Sequence, residues 1–67
     1  MAQIIMDWQP IIRAPFERDL ELAVIDLGGT IHVLEFPCCR TFDGWLNART
    51  RKWVDFRPTH WRDWRDL

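Results

Sequence analysis

The sequence has few of the features that identify an enzyme, a metalloprotein or a membrane protein. Its only two cysteines are adjacent, Cys38 and Cys39, which excludes a disulfide framework. Neighbouring cysteines bond to each other only with strain, so we expect reduced thiols and a cytoplasmic location. No apolar run is long enough to span a bilayer. Because Asp7 and Pro10 interrupt the first apolar run, we also expect no signal peptide.

A strong net charge is also missing. The formal net charge is −1, so no global field attracts nucleic acid or a membrane surface. The halves differ, since residues 1–37 hold two basic and six acidic residues (net −4), whereas residues 38–67 hold seven and four (net +3). We interpret this asymmetry as attraction within one domain, residues 1–67. A chain this short buries only about 60% of its unfolded surface, and its five tryptophans and four phenylalanines can substitute for disulfides or a metal.

Two apolar runs around Gly28-Gly29 predict a β-hairpin over residues 20–37, on which the rest of the chain is organised. A three-residue loop ending at Gly29 places Leu22 opposite Leu34, whereas a two-residue loop would place Glu35 there. The first register makes one face almost wholly apolar and is therefore predicted. Gly29 then has a positive φ in a bulged turn. The register also sets Val24 opposite His32 and Leu20 opposite Phe36. The predicted buried face consists of Leu20, Leu22, Val24, Leu34 and Phe36.

The rest of the chain predicts further strands around this hairpin. Ile4, Ile5 and Met6 suggest a short edge strand, and residues 8–15 suggest an extended arm because prolines exclude a helix. The arm would lay Trp8, Ile11, Ile12 and Phe16 along the sheet. Residues 42–48 and 52–57 alternate as strands. The tail, with Trp61 and Trp64 three apart, fits one helical turn or a fifth strand. We predict an all-β, four- to five-stranded antiparallel meander, with an SH3-like barrel as one form it can take, an extended N-terminal arm and a short C-terminal turn or 3₁₀ segment.

The two ends of the chain carry a resemblance. The segment WQPIIRAP at residues 8–15 and the segment THW at residues 59–61 resemble a family of short bacterial and prophage proteins of unknown function. Members of that family open with W-x-P-I-x-x-A-P and close with a T-H-W segment. The resemblance implies that the arm and the tail meet across the sheet, and it supplies no catalytic residue.

A metal or thiol site is the first chemical possibility. His32, Cys38, Cys39 and His60 are four nitrogen or sulfur ligands of the type zinc prefers. They lack the C-x₂-C and H-x₃-H spacings of zinc sites, and adjacent cysteines chelate awkwardly. A Cys–His nucleophile would also need a pocket and an oxyanion site that nothing in the sequence supplies. We therefore expect no metal, no other cofactor and no enzymatic activity.

A basic and aromatic run is the clearest functional signal. The predicted binding face consists of Arg49, Arg51, Lys52, Trp53, Arg57, Trp61, Arg62 and Trp64. Small β-barrels bind single-stranded nucleic acid with exposed aromatic side chains in a cationic groove, but Asp55 would lie inside such a groove. Trp and Arg also dominate protein–protein hot spots. We therefore predict a binding module that contacts another protein or a second copy of itself, with single-stranded nucleic acid as the alternative and no membrane partner.

Overall fold

Within residues 7–65, which the computed structural model describes, the chain forms seven short strands. The expected edge strand at Ile4 to Met6 lies outside the described residues. One 3₁₀ helix, Ile11–Arg13, follows the first strand, so the arm at residues 8–15 is not extended throughout as predicted. The strands are β1 (Gln9–Pro10), β2 (Leu20–Ile25), β3 (Ile31–Val33), β4 (Cys38–Thr41), β5 (Gly44–Asn47), β6 (Trp53–Val54) and β7 (His60–Asp63).

All seven strands belong to one antiparallel sheet, which confirms the all-β class. The order is β1-β7-β2-β4-β5-β6, and β3 pairs with part of β2. The sheet is open among the described residues, so an SH3-like form stays a prediction. The strand number is seven rather than four or five, and the connectivity is not a simple meander because β7 lies between β1 and β2. This pairing of the arm with the tail, Gln9 opposite Trp61 and Pro10 opposite His60, agrees with the expected meeting of the two ends.

The central hairpin has the predicted register over most of its length. Val24 lies opposite His32, and the amide of Leu34 donates to the carbonyl of Leu22. Gly29 has φ of 88°, as a bulged turn requires. The expected pairing of Leu20 with Phe36 is wrong, because Leu20 lies opposite Cys38. The chain leaves the ladder before residue 37, a proline with no N–H to donate, and returns two residues out of register.

One face of the sheet carries the core. Leu20, Leu22 and Cys38 are fully buried, and residues directly opposite one another on paired strands share a face, which places Trp61 and Trp45 on this side too. The arm crosses this face and contributes Ala14. The half-buried residues packed against the cluster are Ile11, Leu34, Phe36, Trp45, Val54, Phe56 and Trp61. Of the predicted buried face, only Val24 lies outside the core cluster and its partners.

We call the opposite side of the sheet the outer face. Over β2 and β7 it is covered by Trp8, which is buried beneath the guanidinium group of Arg62, 4.1 Å from the ring centroid. Arg62 Nε donates to the Glu21 carboxylate, directly opposite on β2. β2 is therefore covered on both sides, whereas Val33, on the outer face of β3, is 39% exposed. Over β4, β5 and β6 the outer face carries Cys39, Leu46 and Trp53, which form a row across the three strands and end at the exposed Trp53.

Several predicted boundaries in the second half are wrong. Residues 38–41, which lie between the predicted hairpin and the predicted strand at residues 42–48, form strand β4, and the later strand begins only at Gly44. The turn is held by the Thr41 hydroxyl, which donates to the Gly44 carbonyl and accepts from the Asp43 amide. The expected strand at residues 52–57 is reduced to β6. Of the two forms predicted for the tail, the helical turn is wrong and the strand is confirmed, because residues 60–63 form β7 between β1 and β2.

The arm lies on the sheet only in part. Ala14 is buried, but Ile12 and Phe16 are 79% and 45% exposed, so the expectation that both lie along the sheet is wrong. Arg40 Nη1 holds the arm by donating to the carbonyl oxygens of Ala14 at 2.7 Å and Ile12 at 3.4 Å. These bonds hold the backbone of the arm against β4 and leave the Ile12 side chain exposed.

Candidate interaction surfaces

The exposed part of the predicted binding face is the end of the sheet formed by β5, β6 and the loop between them. Trp53 is 61% exposed, next to Leu46 in the outer-face row. Lys52 and Arg51 precede it, and Arg51 has a left-handed φ of 64°. Asn47 shapes this loop by accepting, through Oδ1, the amides of residues 49 and 50. We call this surface the Trp53 surface, and its exposed members are Arg49, Arg51, Lys52, Trp53 and Arg57.

Two other predicted members have structural contacts instead. Trp61 packs against the core, and its indole nitrogen is buried without a hydrogen-bond partner among the described residues. Arg62 is neutralised by Glu21 and Asp7 and stacks on Trp8. Neither side chain is therefore available as an exposed anchor or as a free cation.

Trp64 links the predicted face to the tail. It is half-buried, and the guanidinium group of Arg49 stacks on its ring at 5.4 Å from the centroid. Its amide donates to the carbonyl of Asp19, which extends the contact of the tail with β2. This cation–π contact brings one cation of the Trp53 surface against the end of β7.

The four candidate metal ligands lie on three strands, with His32 on β3, the two cysteines on β4 and His60 on β7. His32 is exposed on β3 and bonded to Asp26 at 3.1 Å, and His60 Nδ1 lies 2.8 Å from the Thr59 hydroxyl. Within residues 7–65, no group of three or more His, Cys, Asp or Glu side chains could hold a metal ion. Cys38 and Cys39 are free.

The environment of Cys38 makes it a poor nucleophile. Its side chain is fully buried in the core. Burial, and to a smaller extent the neighbouring Cys39, raise the pKa of the Cys38 thiol to about 11. Because only the thiolate is strongly nucleophilic, Cys38 is a packing residue.

A second exposed surface, which was not predicted from the sequence, lies on the other side of β4. Phe16 and Phe42 lie with their ring centroids 5.2 Å apart, and the guanidinium group of Arg40 covers the Phe16 ring at 4.6 Å. Together with Glu17 and Thr41 they line an open cleft of about 350 Å³. We call this the Phe16–Phe42 surface. The one available signal was Asp43-Gly44, a turn pair that places Phe42 at the tip of a hairpin.

A second concave region, of about 420 Å³, lies along β1 and β7. Its lining mixes both signs of charge, with Arg13, Arg62 and Arg65 beside Asp7 and Asp63. Arg62 and Arg65 both contact Asp7, and Arg18 pairs with Asp63. The charges largely cancel within the protein, so this cleft favours no ligand of a single sign.

No helix in the described part of the chain is long and apolar enough to cross a membrane. Comparison of the chain with protein-family models, with curated protein sequences and with solved structures gives no match. A functional interpretation therefore depends on the surfaces themselves.

Proposed function

We propose that the chain is a small non-enzymatic binding module that contacts another protein through the Trp53 surface. The supporting observation is the exposure of one indole: Trp53 is 61% exposed, whereas the other four tryptophans are buried or half-buried. Leaving a large aromatic ring in water forfeits its burial free energy, and tryptophan is enriched among the residues that dominate binding energy. Trp53 is accordingly the expected anchor of the contact.

The geometry around Trp53 favours an extended partner segment. β6 is the last strand of the sheet, and its outer edge is unpaired among the described residues. An extended peptide can add to such an edge through backbone hydrogen bonds, while side-chain contacts supply specificity. The row formed by Trp53, Leu46 and Cys39 gives that segment an apolar strip on the outer face.

The charge of the surface favours an acidic partner. Residues 49–57 contain four basic residues and one acid, Asp55. Opposite charge on a partner would accelerate its encounter with this edge and select against basic segments. The proposed partner is therefore a protein segment that combines acidic residues with at least one large apolar side chain.

Peptide selection tests this proposal. We expect a random displayed library, selected on the immobilised chain, to yield acidic sequences with apolar anchors. The dissociation constant of the best peptide should rise at least about 30-fold for Trp53→Ala, the loss of a hot spot of about 2 kcal/mol. The matched control is Leu27→Ala, which removes an exposed apolar side chain from the hairpin loop. Equal loss in both variants, or none in Trp53→Ala, would contradict the proposal.

Single-stranded nucleic acid is the second candidate, because bases stack on exposed aromatic rings beside cations. Two observations rank it second: Asp55 is exposed among the cations, and Arg62 is already paired with acids. We expect no detectable binding of a mixed-sequence single-stranded oligonucleotide at physiological salt. Tight binding that weakens steeply with salt, and is abolished by Arg51→Glu together with Trp53→Ala, would reverse the ranking.

Location and family belong to the same proposal. The free thiols of Cys38 and Cys39 support a reducing, cytoplasmic setting. The pairing of β1 with β7 joins the two segments that carry the resemblance to the bacterial and prophage family. Partner selection with a bacterial peptide library would extend the test to that setting.

A further inference from the structure

The Phe16–Phe42 surface contains a cluster of exposed apolar side chains. Phe42 is 95% exposed at the tip of the β4–β5 turn, and Phe16 is 45% exposed beside it. Ile12, whose carbonyl accepts from Arg40, is 79% exposed on the same arm. Single exposed apolar residues are ordinary, but a cluster of them marks an interaction site.

The same surface is held rigidly. Arg40 is fixed on one side by its hydrogen bond to Ala14 and on the other by its stack on Phe16. Glu17 has a left-handed φ of 57°, and its amide donates to the carbonyl of Arg40 at 3.3 Å. A non-glycine residue in this conformation is strained, and such strain is concentrated at functional positions. A surface fixed before contact loses little entropy on binding.

The Phe16–Phe42 surface carries one negative and one positive side chain that do not form a salt bridge with each other. Glu17 and Arg40 are neighbours through their backbones, yet neither forms a salt bridge within the described residues. A two-fold axis through the Phe16–Phe42 surface would place Glu17 of each copy opposite Arg40 of the other. Only a surface carrying both signs can satisfy itself in this way.

We propose that the Phe16–Phe42 surface is the interface of an isologous homodimer of this chain. The proposal is independent of the Trp53 surface, which lies on the outer face at the far edge of the sheet. It places the aromatic rings of both copies at the centre of the contact and the Glu17–Arg40 pairs at its rim. Partner binding through Trp53 would then occur on a bivalent particle.

The available area predicts a weak dimer. With roughly 200 Å² for each phenylalanine, the exposed fractions of Phe16 and Phe42 give about 280 Å² for each copy. The two copies together contribute about 560 Å² of apolar area. Homodimer interfaces are about 65% apolar, so the total buried area would be roughly 900 Å². Ile12 adds to this value. Interfaces below about 1,200 Å² are transient, so we expect a dissociation constant of roughly 10–1,000 µM.

Sedimentation velocity over a concentration series tests the proposal. The full chain should shift from monomer to dimer across this range. Phe42→Ser should raise the dissociation constant at least about tenfold, and it should leave the fold intact because the ring is almost fully exposed. Leu27→Ser, the matched control at another exposed apolar position, should dimerise like the full chain. A chain that stays monomeric throughout, or a Phe42→Ser variant that dimerises normally, would overturn the proposal.

A charge exchange tests the two-fold arrangement itself. Glu17→Arg and Arg40→Glu should each weaken self-association, since each places like charges across the axis. Mixed together, the two variants should form a heterodimer tighter than either homodimer, because both pairs are then of opposite charge. No preference for the mixture would overturn the two-fold pairing. Arg40→Glu also loses the hydrogen bonds that Arg40 donates to the arm, so circular dichroism must first show that this variant is folded. If it is not folded, the test uses Glu17→Arg alone. Unchanged self-association of Glu17→Arg would then overturn the pairing.

The variants Phe42→Ser and Trp53→Ala distinguish the dimer proposal from the proposal that Trp53 binds a partner protein. Phe42→Ser should weaken self-association at least about tenfold and retain binding of the selected acidic peptide. Trp53→Ala should do the reverse. Loss of dimerisation in Trp53→Ala but not in Phe42→Ser would move the dimer interface to the Trp53 surface and refute this inference.

Discussion

Replacing each of the two adjacent glycines in the central hairpin should have opposite effects on stability. Gly29 has φ of 88°, and a Cβ placed there would meet no atom within 4 Å, so only backbone strain opposes a side chain. Gly28 lacks a positive φ, and its Cβ would meet Asp26 Oδ1 at 3.4 Å, an ordinary contact distance. The left-handed conformation costs a residue with a side chain about 1–2 kcal/mol. Restricting the unfolded chain recovers about 0.4–1 kcal/mol in either variant.

Gly29→Ala should therefore lower the free energy of unfolding by up to about 1.6 kcal/mol, and Gly28→Ala should raise it by about 0.4–1 kcal/mol. Gly29→Val should cost more, since β-branched residues avoid this conformation most strongly. In a domain of this size each kcal/mol shifts Tm by about 4–8 °C. Urea unfolding followed by tryptophan fluorescence measures the difference. Equal effects of Gly28→Ala and Gly29→Ala would refute the bulged-turn assignment.

Three further perturbations follow from individual side chains. The hydrogen bond with His32 and, to a smaller extent, those from backbone amides lower the pKa of the Asp26 carboxyl below its usual 3.8. Asp26 therefore stabilises the fold above pH 3.8, and this contribution is lost as the pH falls through the lowered pKa. Asp26→Asn should remove that dependence from urea unfolding midpoints measured between about pH 2 and 5. Cys38, with its raised pKa, should react with a thiol reagent at pH 8 only when urea unfolds the chain, whereas rapid labelling of two thiols in the native protein would show that it is not buried. Arg62→Ala should cost about 1–3 kcal/mol through lost packing on Trp8 and lost ion pairs, against about 0.5 kcal/mol or less for the exposed Arg57→Ala, and equal urea midpoints for the two would show that Arg62 does not hold the outer face.

The register of the central hairpin could be predicted because burial selects it. A one-residue slip would have moved Leu22 to the opposite face and set Glu35 across from it, so the alternation of side chains was sufficient. The same alternation identified Leu34 and Phe36 as core residues. The alternation did not predict the partner of Leu20. The chain leaves the ladder before residue 37 and returns two residues later, which keeps Leu20 on the same face but pairs it with Cys38 instead of Phe36.

The tail shows what a local pattern cannot supply. Two tryptophans three residues apart fit a helical turn, but β7 pairs with β2 and β1, and the hydrogen bonds of two neighbours outweigh a short helical preference. Of the two candidate surfaces, one could be predicted from a local sequence pattern and the other could not. The exposure of Trp53 agrees with a basic and aromatic run in the sequence. The Phe16–Phe42 surface depends on the contact of Arg40 with the arm, which joins residues 26 positions apart.

The position of β7 has a consequence for how the chain is made. Arg62 and Glu21 face each other across 41 residues of sequence, so β2 is synthesised long before the strand that completes its edge. During translation β2 has an unpaired edge, and the arm has no strand to join. Long-range pairing of this kind slows folding and leaves edges that can pair with other chains. Nascent chains that stop before residue 60 should therefore aggregate or bind chaperones, and a separate peptide carrying residues 57–65 should rescue them.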